Sequence, residues 1–353
     1  STAGALSIIT AQPTDYLEAG ATATYTDVFE GFEGQAFVSG PLADGLSARL
    51  AVRGLTENGY VFNTTKDRTE PRLDEIAGRA TVLYESGNFT ATLKGEYSKF
   101  DVEGRNLLVS QDVATTNAAP NVPLTFAVAL TGAGLPGTLQ DTSFNYRRQA
   151  DQDEFDNTEF YNGTFTTETD FDSATLTTVT GYVGYDRDTS GDLDFTSASI
   201  LGGLTHESYE QFSQEIRVAT DDSLPLSVIA GAYFEHNQLD YSDVTALGSD
   251  LANLGFGVIA DIGAVRDFEQ TSDTYSLFAQ LQWRVADGFR IIPGLRLAID
   301  EKTASRSLVA RNGAFSYDGP LVTNPVPITV LQTALGFSFD NAVAGAGHDL
   351  NRS

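Results

Sequence analysis

The side chains best suited to chemistry are sparse in this chain. Its three histidines, His206, His236 and His348, stand far apart, and none lies in a nucleophile elbow or an H-E-x-x-H frame. With no cysteine anywhere, thiolate nucleophiles, thiolate metal sites and disulfide scaffolds are all excluded. His206 and His236 fall on neighbouring stretches, but surface histidines are far commoner than catalytic pairs, so the chain reads as a non-enzyme. Gly132-Ala133-Gly134-Leu135-Pro136-Gly137 matches G-x-G-x-x-G, yet no strand precedes it and no helix is expected after it, so it is rejected as a nucleotide site.

One segment has the composition of a cation loop. Asp186, Asp188, Ser190, Asp192 and Asp194 fill positions one, three, five, seven and nine of a calcium-loop pattern, with Gly191 at position six. Position twelve is Ser197, where a bidentate Glu is required, and no helices flank the segment. The expectation is a weakly held calcium in an exposed loop, set against the plainer reading of a solvated acidic turn. No other cofactor is implied. Calorimetry with millimolar calcium tests it, and an absence of heat on folded protein rejects it.

Such groups need elements to position them, and the strongest signal is alternation with period two. Tyr275, Leu277, Ala279, Leu281, Trp283 and Val285 share one face, against Ser276, Phe278, Gln280, Gln282 and Arg284. After an Asp287-Gly288 turn, Phe289 to Ile299 continues the pattern, and each strand runs about eleven residues. That is the roughly 9 to 11 residues a tilted strand needs to cross a bilayer, and it exceeds the usual five or six of a soluble sheet. Eleven strands are expected, near 16–28, 33–39, 46–57, 72–85, 89–103, 154–169, 174–186, 206–219, 225–240, 269–285 and 289–301.

The connections carry more information than the strands. Every second one is short (40–45, 86–88, 170–173, 221–224 and 286–288), while the intervening ones at 58–71, 104–153, 187–205 and 241–268 are long, the first, near Gly31, being the exception. Tight turns on one rim and long loops on the other are the layout of an outer-membrane barrel, and a soluble sandwich gives no reason for it. Aromatics flank the short turns, as Tyr84 and Phe89 or Trp283 and Phe289, where an interfacial girdle would sit. The excess of 48 Asp+Glu over 21 Lys+Arg, a formal charge of −27, repels phosphate backbones and argues against nucleic acid. Acidic loops would keep the outer rim soluble, or select a cationic or metal-chelate cargo.

Four segments resemble TonB-dependent outer-membrane receptors. Gly4-Ala5-Leu6-Ser7-Ile8-Ile9-Thr10-Ala11-Gln12-Pro13 is similar to the last strand of that family's plug domain. Val38 to Leu42 with Leu46 to Arg53, Phe212 to Ala219, and Ile229 to Phe234 resemble its early barrel strands, in the family's order. The resemblance implies residues 1–14 as the end of a plug and its linker. Residues 15–353 would be the N-terminal half of an all-β, antiparallel transmembrane barrel, eleven strands of about 22. It implies a location in the outer membrane of a Gram-negative bacterium. It further implies lipid and lipopolysaccharide around the wall, a scarce nutrient as cargo (ferric siderophore, cobalamin or oligosaccharide), and TonB engaged through a preceding part. Arg49, Arg53, Lys94, Glu96, Gln280, Arg284 and Arg296 are expected to face the lumen. Two alternatives stand beside this reading. One is a passive porin. The other is a structural assembly formed when open strand edges template pairing with further copies.

Overall fold

A computed structural model describes residues 9–109, 112, 125–135, 145–286, 288–336 and 340 of the chain. Half of the expected plug strand, residues 4–8, lies outside the described residues. The elements are β1 (Glu18–Thr26), β2 (Gly31–Ala43), β3 (Leu46–Glu57), the short β4 (Val61–Asn63) and β5 (Arg68–Glu70), β6 (Arg72–Ser86) and β7 (Phe89–Glu103). After these come α1 (Phe126–Gly132), β8 (Arg147–Arg148), β9 (Phe155–Asp170), β10 (Ala174–Asp192), β11 (Leu201–Thr220) and β12 (Leu226–Leu247). A 3-10 turn at Ser249–Ala252, β13 (Ile262–Ala286), β14 (Phe289–Ile291), β15 (Gly294–Asn312) and α2 (Pro325–Leu335) complete them.

The long strands form one antiparallel sheet in sequence order, the wall of a partial barrel, with β1 at one end and β15 at the other. All eleven expected strands are present in their expected order. β14 and β15 keep one register against β13, Trp283 opposite Ile291 and Gln280 opposite Gly294, so they are a single strand interrupted at Ile292-Pro293. Proline has no N–H to give the ladder, which accounts for the break.

Register puts like with like. Tyr275, Leu277 and Ala279 lie opposite Ile299, Leu297 and Leu295 on one face, while Ser276 and Phe278 lie opposite Ala298 and Arg296 on the other. Leu277, Leu295, Leu297 and Ile299 are each more than 60% exposed, and Leu50 and Val52 are 50% exposed, so the apolar face points outward without any protein layer over it. A continuous band of bare apolar residues on a hydrogen-bonded backbone ladder is what a bilayer-spanning wall requires. No described helix is long and apolar enough to cross a membrane.

Apart from the 27–30 turn between β1 and β2, the short turns fall on one rim. Gly45 (φ 66°) and Gly288 (φ 79°) hold left-handed backbone there, and a Cβ on Gly45 would meet the Glu85 carbonyl oxygen at 2.3 Å, so both turns need glycine.

On the opposite rim the strands run further than the alternation indicates. β10 continues to Asp192 and β11 begins at Leu201, so the expected loop at 187–205 shrinks to residues 193–200. β12 runs 22 residues and β13 runs 25, about twice what crossing a bilayer takes. Past the apolar band the outward face becomes polar, through Asp188, His206, His236, Gln238, Asp240 and Asp273, so hydropathy contrast fades while the ladder continues.

Beyond the membrane the chain builds cores of its own. Leu247, Ile262, Ala264, Leu308 and Ala310, from the far ends of β12, β13 and β15, bury Ile328 and Leu331 of α2. A second cluster joins Val244, Ala246 and Val265 to Ala314, and a third joins Leu130 of α1 to Ala198 and Ile200. Leu201 and Leu251 touch both the first and the third cluster, so the loops form one apolar body. α2 starts at Asn324, whose side chain accepts the Val326 N–H, and ends at Gly336 in the left-handed region.

Candidate functional site

The inner face of β1 to β9 carries a ladder of opposite charges. Arg49 reaches Glu18 across two strands at 2.8 Å, and Arg53 bridges Glu33 at 2.9 Å and Glu75 on its other side. Arg79 and Glu96 pair directly, with the Lys94 ammonium 3.9 Å from Glu96. Cross-strand alternation produces this, because residues opposite one another share a face and lie within side-chain reach. The Arg49 guanidinium also sits 4.0 Å above the Phe37 ring. Of these groups Phe37, Arg49, Arg53, Glu75, Arg79 and Glu96 line a cavity of about 690 Å³.

The expected lumen residues can be placed one by one. Arg49, Arg53, Lys94 and Glu96 belong to the ladder. Arg296 donates to Ser276 Oγ at 2.9 Å, and Gln280 lies opposite Ile229 and Gly294 on the same inner rows. Arg284 sits at the turn rim, donating to the Asp222 carbonyl at 3.1 Å. Higher on the wall Tyr185 and Tyr209 stack at 5.6 Å, Tyr185 donates to Glu207, and Tyr233 donates to Glu235. The inner wall is thus rich in paired charges and phenols. Paired groups of this kind can hydrogen-bond a polar solute while the wall keeps little net charge of its own.

Above the wall the loops are fastened by a buried charge. Arg148, 2% exposed, donates through Nη1 to Glu70 at 2.9 Å, to Glu154, and to the Arg105 carbonyl at 2.9 Å. Asn63 turns its amide to Glu70 at 3.2 Å, and β4 joins β5 and β8 in a small sheet. The hairpin after β3 is thereby tied to the long connection after β7. Sequence reading missed this clamp, since its links span tens of residues (84 between Thr64 and Arg148) and have no shared period.

The expected calcium ligands do not converge. Asp186, Asp188, Ser190 and Asp192 lie on β10, an extended strand, where alternate residues are about 6 to 7 Å apart. They therefore spread along the wall instead of wrapping an ion with ligands 2.3–2.6 Å away. Asp188 meets His206 Nδ1 at 2.7 Å, and Ser190 accepts from Gln152 at 3.0 Å. The spread has a physical cause: the segment pairs residue by residue with β11 as far as Asp192, so it is extended strand.

Two of the five do come together, with a third residue that the pattern did not include. Carboxylate oxygens of Asp151, Asp192 and Asp194 lie within 4.8 Å of one another. Burial, then the neighbouring Asp194 charge, pushes the Asp192 carboxyl up to about 7, and burial also raises Asp194 and Asp151. Backbone N–H groups of Phe195 and Asp194 donate to Asp192 at 2.7 and 3.0 Å, and that of Leu201 donates to Asp194 at 2.8 Å. The cluster thus ties the 193–200 loop and residue 151 to the tip of β10. His206 and His236 bond Asp188 and Asp273, far apart on the outward face, and make no pair with each other.

With this geometry in view, the family described as "TonB dependent receptor-like, beta-barrel" matches residues 96–326. Among solved structures, the ferric yersiniabactin uptake receptor FyuA from Yersinia pestis superposes with a TM-score of 0.61 at 14% identity, over 86% of this chain and 42% of that one. The ferripyoverdine receptor of the Pseudomonas aeruginosa outer membrane gives 0.56 at 10% identity, over 86% and 40%. The ferric citrate transporter FecA, unliganded, gives 0.52 at 10% identity, over 86% and 42%. At such identities the likeness is one of fold. The chain spans less than half the length of each of these three structures. No curated protein matches the sequence.

Proposed function

Because the chain belongs to the TonB-dependent receptor family through its β-barrel domain, we propose that it forms one part of a receptor that imports a scarce nutrient of the ferric-siderophore class. The family's members are proteins of the Gram-negative outer membrane, and the bare apolar band around the wall fits that location. The observation that carries the uptake reading is the inner wall. Its charges are paired across strands around a cavity of about 690 Å³, beneath loops that are already packed together. Such a wall offers hydrogen bonds to a polar chelate without holding a large fixed charge.

The siderophore class is supported by the similar folds of receptors for ferric yersiniabactin, ferripyoverdine and ferric citrate. Residues 1–14 are assigned to the end of a plug and its linker, and TonB engagement to a segment outside this chain. Transport in this reading is binding followed by energised movement, so no residue here is given a catalytic role. The test is uptake of radiolabelled iron, presented on a panel of siderophores, by cells that express the receptor, with and without a functional TonB. Energy-dependent accumulation with one siderophore is expected. Uptake that persists without TonB, together with steady conductance in planar bilayers, would establish a passive pore instead.

A further inference from the structure

At the short-turn rim the outward face holds a groove of about 290 Å³, lined by Pro225, Leu226, Leu281, Trp283, Ile291 and Pro293. Leu226, Trp283 and Ile291 form one cross-strand row on β12, β13 and β14, with Leu281 and Pro293 one row nearer the membrane centre. The groove exists because two prolines stand where longer side chains would fill the row. One opens β12, and the other interrupts the last strand, where its carbonyl still accepts the Leu281 N–H at 3.0 Å. Its volume is at the low edge of the roughly 300–1,000 Å³ of ordinary small-molecule clefts, too small for a helix or strand of another protein.

What surrounds the groove limits what can fill it. On the membrane side it is continuous with the exposed band of Leu277, Leu295 and Leu297. On the other side it ends at the 221–224 turn, where Asp221 caps the Ser223 N–H and Arg284 reaches the Asp222 carbonyl. An occupant therefore needs a narrow hydrocarbon body and a polar end at the turn. We propose that the groove seats an acyl chain of one diacyl phospholipid of the inner leaflet, with its head group at the level of residues 221–224. This rests on the membrane placement of the wall, and it is independent of cargo and of TonB.

Trp283 lines the groove, is 52% exposed, and is the one tryptophan in the sequence, so it reports on the occupant directly. The probe is a phosphatidylethanolamine brominated on its acyl chains, titrated into the protein in mild detergent and followed by Trp283 quenching and by native mass spectrometry. The wild-type protein is expected to retain one lipid per chain and to be quenched in proportion to that adduct. Leu226→Phe, which fills the groove, should abolish both signals, whereas Leu50→Phe, on the outward face of the remote strand β3, should leave them unchanged. Equal adducts in both variants would mean unspecific annular lipid and would overturn the proposal. So would the absence of a stoichiometric adduct in the wild type, or Trp283 shielding that grows with protein concentration, which would assign the groove to a second copy. Siderophore uptake is expected to be the same in all three proteins, so its failure would not be confused with failure of the lipid site.

Discussion

The wall and the cap of this molecule solve opposite problems. Along the wall, Leu277, Leu295, Leu297 and Ile299 are mostly bare, and stability comes from the backbone ladder and from lipid lying against the outward face. In the cap, Leu247, Ile262, Ala310, Ile328 and Leu331 are withdrawn from solvent, and a buried arginine is held between two carboxylates. The difference teaches where a membrane barrel needs a core. In hydrocarbon, apolar side chains are satisfied by the bilayer. Where β12, β13 and β15 rise into water, the same strands must bury their own apolar groups, and the loops supply the second layer.

Breaking the Arg148 clamp should have the largest effect. Arg148→Met leaves Glu70 and Glu154 buried without their partner, a cost of about 3–5 kcal/mol borne by the cap. Hydrogen exchange should accelerate in residues 58–71 and 145–155 and stay slow in the spanning part of the wall. Uniform acceleration would show that cap and wall are a single cooperative unit.

Next in size is a pair of leucines. Leu331→Ala, at a position with no exposure, should cost about 2–5 kcal/mol of cap stability, read as faster exchange in α2. Leu297→Ala, on a residue 62% exposed and facing lipid, should cost well under half of that, read by denaturant titration of refolding in vesicles. Equal penalties would break the comparison between wall and cap.

The Asp192 cluster predicts a pH dependence confined to the cap. The folded-state value of about 7 lies above the ordinary carboxylate value near 4, so the folded cap binds a proton that the opened cap releases. The contribution of Asp192 to cap stability is therefore most favourable below about pH 4, falls as pH rises through that window, and levels off above about 7. The change should be no more than about 4 kcal/mol, and Asp192→Asn should flatten it in exchange measured across pH. The smallest effect belongs to the inner wall. Glu18→Gln removes one partner of a half-exposed pair and should change stability by no more than about 1 kcal/mol, leaving the strand pairing intact by circular dichroism.

Much of the wall was legible in the residues themselves. The ranges 46–57 and 89–103 coincide with β3 and β7, because a strand with lipid on one face and polar groups on the other displays its period directly. The turn rim was equally legible, since the glycines at 45, 87 and 288 are local requirements of backbone geometry. The outer halves of β10 to β13 were not. There both faces meet polar or mixed surroundings, so 187–205 and 241–268 resembled loops although much of each is paired strand. The calcium pattern was read along one loop for the same reason, whereas β10 continues as paired strand to Asp192 and only Asp192 and Asp194 come together, with Asp151.

The sequence by itself determined the alternation, the order of the long strands and the bias of tight turns to one rim, because each depends on residues within a few positions of one another. Only the tertiary structure decided that Asp151 joins Asp192 and Asp194, that Arg148 lies between Glu70 and Glu154, and that α2 completes a core with the ends of β12, β13 and β15. Those groups are brought together across tens of residues by the register of strands that carry none of their chemistry, and contacts of that range leave no local period to read.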